Sequence, residues 1–188
     1  MRPKMMSLLL SLTLLVPAFA FAAELADVKL DDKVVVNGQT LSLNGIGLRK
    51  KFFIKVYVGG LYVTAKSSNP ATILAADSPR RMVMHFLYGV SKDQMCDAWS
   101  EGLEANTPNA SAEVKNAFKT LCSWMEPIPK GNRLVLTYVP GTGTTVEING
   151  KAKGTLPGKA TADAIVSTWI GAKPAMGDDF KNAILGKP

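Results

Sequence analysis

Two hydrophobic periods alternate in blocks along the chain, and the order of the blocks leaves few folds open. Runs with a period of two, which suit strands, fill most of residues 28–63 and return at 81–88. Runs with a period near 3.6, which suit helices, follow in a pair between residues 91 and 125. Strand-like runs come back from residue 133, and helical ones close the chain after residue 160. A doubly wound parallel sheet needs strand and helix to alternate one for one. Blocks of strands separated by a helix pair instead predict an α+β fold, an antiparallel sheet backed by a layer of helices.

Local signals place the elements. Val28 to Val36 reads as one strand, the pair Asn37-Gly38 as a tight hairpin turn, and Leu41-Ser42-Leu43 as the start of a second strand. Gly45 and Gly47 predict irregular backbone or the close approach of another group. Phe52 to Val63 is rich in β-branched and aromatic residues and predicts a long strand, bent or closely packed at Gly59-Gly60. Asn69-Pro70 opens a short helix through Ala76. In Arg81 to Tyr88, Met82, Met84, Phe86 and Tyr88 share one face. Ser91 and Gln94 form a capping box for a helix to about Ala105, with Met95, Trp99 and Leu103 as its buried stripe. Ala110 to Met125 forms the antiparallel partner helix. Cys96 and Cys122 lie about equally far from the turn between these helices, which predicts a disulfide over the alternative of two buried thiols. Arg133 to Val139, Thr144 to Ile148 and Lys153 to Leu156 read as strands, with a turn at Asn149-Gly150. Ala160 to Ile170 reads as a helix with Gly171 as a left-handed cap, and Asp178 to Leu185 as a last short helix.

The N-terminus is a separate object. Arg2 and Lys4 precede an apolar stretch from Ser7 to Val16, and small residues end at Ala22-Ala23. That is the pattern of a cleaved signal peptide, expected over residues 1–23, with one domain over 24–188. No later run is long enough to span a bilayer, so no membrane span is expected after cleavage, and the destination is the periplasm or beyond. The net charge of +7 falls to +5 without Arg2 and Lys4, and the remaining cations are scattered apart from short clusters at Arg49-Lys50-Lys51 and Arg80-Arg81. No basic stripe with interleaved aromatics argues for nucleic acid. With one histidine, His85, and two cysteines at non-zinc spacing, neither a metal centre nor another cofactor is expected. Oligomeric state is not encoded in any pattern.

No serine elbow, phosphate loop or zinc-protease motif occurs. Arg49 is the candidate that remains. It falls between a glycine pair and a long apolar strand, where a planar cation suits a carboxylate, enolate or phenolate. Spacing alone favours a solvated arginine in a basic turn beside Lys50 and Lys51. The stretch Leu43-Asn-Gly45-Ile-Gly47-Leu-Arg49, followed by Phe53-Ile-Lys55-Val-Tyr57-Val-Gly59-Gly-Leu-Tyr62, resembles the chalcone isomerase superfamily. Ser167-Thr168-Trp169-Ile170-Gly171 and Asp179-Phe180-Lys181 resemble its closing helices. The resemblance is nearest to an exported bacterial branch and implies an open-faced β-sandwich with a ligand cleft. It implies Arg49 as the group that meets negative charge, with Thr168 beside it if the chain is a catalyst. It implies Tyr57, Asn116 and Thr168 as further ligand-binding positions. Two departures count against chalcone cyclisation: Tyr57 stands where the enzymes carry a threonine, and Thr107-Pro108-Asn109 lacks their tyrosine. The expected partner is therefore a small amphipathic or aromatic anion, of fatty-acid or phenolic type. An isomerase (an intramolecular lyase) and a structural module are the alternatives.

Overall fold

The computed structural model describes residues 22–187; residues 1–21 of the expected leader, with Arg2, Lys4 and the apolar stretch, lie outside them. Seven strands form one antiparallel sheet in strict chain order: β3 (Lys33–Val36), β4 (Gln39–Lys51), β5 (Ile54–Val63), β6 (Arg80–Phe86), β7 (Arg133–Val139), β8 (Gly143–Ile148) and β9 (Lys151–Leu156). Two hairpins follow directly from turn chemistry. Asn37 and Gly38, and again Asn149 and Gly150, all have positive φ, as a two-residue turn matching the strand twist requires.

A separate ribbon, β1 (Ala23–Leu25) and β2 (Val28–Leu30), precedes the sheet. The single strand expected from Val28 to Val36 is therefore two. It breaks at Asp31-Asp32, because its halves serve different partners: Val28–Leu30 pairs with β1, and Lys33–Val36 pairs with β4. The break is tied down from the sheet, where Tyr62 donates its hydroxyl to the Asp31 carbonyl at 2.8 Å and the Leu43 amide donates to the Asp32 carbonyl at 2.8 Å.

The helices are α1 (Pro70–Ala75), α2 (Lys92–Asn106), α3 (Ala112–Trp124), α4 (Lys159–Ile170) and α5 (Asp178–Ile184). The capping box closes as the sequence predicts: Ser91 accepts from the Gln94 amide at 3.1 Å, and Gln94 accepts from the Ser91 amide at 2.9 Å. A disulfide joins Cys96 to Cys122 and pins α2 against α3, with 5.0 Å between the Cα atoms. The main core lies between these helices and the sheet; it takes Met95, Trp99 and Leu103 from α2 and Val114, Phe118 and Leu121 from α3. α4 is buried almost all round, so it is the central helix of the layer. Trp99 meets Trp169 of α4 edge to face, with ring centres 5.4 Å apart. A second, smaller core on the reverse face holds Leu41, Leu43, Val58 and Val83 under Val28 and Leu30 of the ribbon.

Two glycines show what close packing demands. A Cβ on Gly45 would collide with the Ala183 carbonyl and lie 2.8 Å from the Gly186 nitrogen, so only glycine lets the end of α5 rest on β4. Asn44 locks the same junction, donating to the carbonyls of Ile184 at 2.9 Å and Ser67 at 3.1 Å. Gly171 is not the left-handed cap expected from sequence, for its φ is −65° and its backbone is extended. It is glycine because a Cβ there would strike the Asn106 side chain, which bridges the end of α2 to Lys173.

Candidate functional site

The candidate site begins with a β-bulge. Lys50 pairs with Lys55, but Arg49 pairs with Tyr57, which leaves Val56 as an extra residue in β5. The Val56 carbonyl accepts two amides, from Leu87 at 2.8 Å and Tyr88 at 3.1 Å. A bulge of this kind re-aims side chains that strict alternation would split between faces. Val56 and Tyr57 both turn to the helix side, while Val58 resumes the pattern and joins the reverse core. Met84 and Phe86 of β6 lie beside them, on the face that alternation predicts.

Between these strands and α2 and α4 lies a cavity of about 150 Å³. Phe86, Trp99 and Trp169 wall its inner end, Ala98 and Met95 form the α2 side, and Met176 covers it from the segment before α5. Lys51, Tyr88 and Gln94 also line it and are exposed, so the cavity opens to solvent there. Arg49 is half-buried at the rim, its guanidinium carbon 6.0 Å from the centre of the Tyr57 ring. Its Nη1 touches the Met176 sulfur and donates to the Ala175 carbonyl at 3.4 Å. Among the described residues its Nε and Nη2 have no partner, and no carboxylate pairs with it.

This cavity, bounded by an antiparallel sheet and its helix layer, sits within a sequence whose residues 22–186 match the profile of the chalcone isomerase-like family. The chain belongs to that family. No curated protein matches its sequence. Among solved structures, this chalcone isomerase-like chain is similar to a fatty-acid binding protein from Arabidopsis thaliana, with a TM-score of 0.60. The identity is 18%, covering 82% of this chain and 96% of that one. At that identity the likeness is one of fold, and it agrees with the sheet-and-helix arrangement described above.

Within the chalcone isomerase-like domain, the expected site residues separate. Tyr57 is buried at the cavity wall and accepts a hydrogen bond from Trp169 Nε1 at 3.0 Å. Burial pushes its pKa up to about 12, against a smaller opposing pull from the Arg49 charge and the Trp169 bond. The phenol therefore keeps its proton, and among the described residues that proton has no acceptor. Thr168 also lines the cavity, but its hydroxyl donates to the Ile165 carbonyl at 2.8 Å within α4. It thus presents lone pairs to the cavity, which suits a donor and not an anion. Asn116 is not brought to the site. It is exposed on α3, whose inner stripe is Val114, Ala117, Phe118 and Leu121.

Sequence reasoning passed over the two indoles. Trp169 holds the Tyr57 hydroxyl, and the Trp99 Nε1 is buried without a partner among the described residues. The lining contains no carboxylate, imidazole or thiol. His85 sits on β6 between Met84 and Phe86, accepts from Arg133 Nε at 3.2 Å, and has its pKa lowered by burial and then by the Arg133 charge. Both cysteines are in the disulfide. Among the described residues no group of His, Cys, Asp or Glu side chains could hold a metal ion, and no helix is long and apolar enough to cross a membrane.

Proposed function

We propose that the chain is an exported binding protein for a small amphipathic anion, with the charge on Arg49 and the apolar body among Tyr57, Phe86 and Trp99. One observation carries the reading: a half-buried guanidinium, with no carboxylate partner among the described residues, stands at the rim of a cavity lined mostly by apolar side chains. A partly desolvated charge without a counter-charge costs stability, and a ligand carboxylate or phenolate relieves that cost. The Tyr57 hydroxyl supplies a second donor, because its own proton is uncommitted among the described residues.

Size narrows the ligand. Drug-sized sites run to roughly 300 Å³ and more, and a cavity of roughly 150 Å³ takes a single benzene-sized ring. This cavity is of the smaller kind. It suits one aromatic ring or a short acyl chain bearing an acid group. Longer chains require Met84, Met95 and Met176 to shift, which flexible thioether side chains do readily. Arabidopsis thaliana's fatty-acid binding protein, of the same fold, supports the ligand class. The expected leader and the disulfide both favour the periplasm or the exterior, where disulfides persist. The isomerase reading is weaker. Among the described residues the lining offers no carboxylate, imidazole or thiol, and the Thr168 proton is already engaged by Ile165.

Native mass spectrometry of protein purified under gentle conditions tests the proposal. A co-purified or added short aromatic or acyl acid should appear as a single-site adduct, lost in Arg49→Met while the melting temperature holds. Absence of any adduct across a panel of such acids would refute it.

A further inference from the structure

Two phenylalanines stand where neither packing nor turn chemistry asks for them. Phe52 is 88% exposed and Phe53 92% exposed, at the tip of the β4–β5 hairpin. Phe52 has φ +56°, a left-handed conformation that bulky side chains rarely adopt and that glycine or asparagine would hold more easily. Lys50, Lys51 and Lys55 flank the rings, all exposed, and the hairpin carries no acid from Leu48 to Tyr57. The sheet brings more cations to the same end. Arg133 opens β7 opposite His85, and the loop holding Lys130 is joined to β6 where the Gly131 amide donates to the Phe86 carbonyl. Among the described residues none of these cations is in a salt bridge, whereas Lys29, Arg80, Lys153 and Lys159 elsewhere all are.

We infer that this hairpin docks the protein on an anionic phospholipid surface, with Phe52 and Phe53 entering the headgroup boundary and the lysines reaching back to the phosphates. Exposed aromatic rings framed by long cationic side chains match that boundary in both polarity and charge. A second copy of the chain fits worse, since stacking two such tips would set lysine against lysine. The docking itself does not rest on the ligand proposed above; only its use does. Lys51 and Ile54 of the hairpin line the cavity, and Tyr88, 54% exposed, also lines it, so a docked hairpin turns the cavity mouth toward the lipid. An amphipathic acid partitioned in the bilayer would then enter or leave without crossing bulk water.

Vesicle co-sedimentation decides the matter, with protein purified from cells expressing the whole chain. The probes are phosphatidylcholine vesicles with and without about a third of phosphatidylglycerol. We expect binding at least about tenfold stronger to the anionic vesicles, falling severalfold on raising salt from about 0.05 to about 0.3 M. Phe52→Ser with Phe53→Ser should weaken it about tenfold or more, at unchanged melting temperature. Lys50→Gln with Lys55→Gln should remove most of the salt dependence. Anion uptake measured without vesicles should be unchanged in the phenylalanine variant, so failed docking and a failed cavity reading give different patterns. Equal binding to both vesicles, or binding indifferent to the phenylalanines, would overturn the inference. Self-association that the phenylalanine variant abolishes, or capture of a single-stranded oligonucleotide alone, would overturn it as well.

Discussion

Replacing Ala98 with leucine should make the protein more stable and a poorer binder at the same time. Ala98 lies on α2 beside Trp99 and lines the cavity. Leucine adds three carbons there, roughly 80 Å³ of the available space, and at about 0.8 kcal/mol per carbon taken out of water the gain is about 2 kcal/mol. Ordering the longer side chain returns about 0.5–1 kcal/mol of that. The net is about 1 kcal/mol, or roughly 3 °C in melting temperature for a chain of this length. The ligand, meanwhile, loses about half its room, and its affinity should fall at least about tenfold. Differential scanning calorimetry and a binding titration on the same preparation read both effects. A more stable variant that still binds as tightly as the parent would place the ligand elsewhere and refute the reasoning. A destabilised variant would mean that the space beside Ala98 is already filled.

Further outcomes follow from single contacts. Closing the loop between Cys96 and Cys122, 26 residues apart, should contribute roughly 3 kcal/mol, lost on reduction or in the double serine variant and read by denaturant titration. Gly45→Ala should cost roughly 3 kcal/mol by forcing α5 off β4, and limited proteolysis should then cut near residue 185 first. Folding raises the Tyr57 pKa from 10.0 to about 12, so its contribution is whole below pH 10 and fades as pH rises toward 12. Tyr57→Phe should flatten the alkaline limb of the stability curve, leaving the share of Tyr62 and Tyr138, which are also raised to about 12.

The fold was more legible than the site, for a physical reason. Asn37-Gly38, Asn149-Gly150 and the Ser91–Gln94 box act through neighbouring backbone, so their effect is written within a few residues. The cysteine pair was legible because two helices and one turn fix their relative height. What failed depended on distant partners. The break at Asp31-Asp32 exists because two sheets claim the two halves of one apolar run. Gly171 is glycine because of Asn106, 65 positions away, and not because of its own helix. In the site, Arg49 was found from its setting and the family resemblance, but the bulge at Val56 that sets Tyr57 beside it leaves no mark in alternation. The Trp169–Tyr57 bond spans 112 positions, and the exposure of Asn116 follows from which stripe of α3 the core takes.

The central claim is that Arg49 selects for negative charge. Isothermal titration of a short phenyl-substituted carboxylate and of its uncharged amide, with the parent and with Arg49→Gln, measures that selection. A charge-assisted bond of about 1.5–3 kcal/mol corresponds to a preference of about ten- to a hundredfold for the acid. The account predicts that preference in the parent and its disappearance in Arg49→Gln, with amide binding little changed. Equal affinity for acid and amide in the parent, or a preference that survives the substitution, would contradict it.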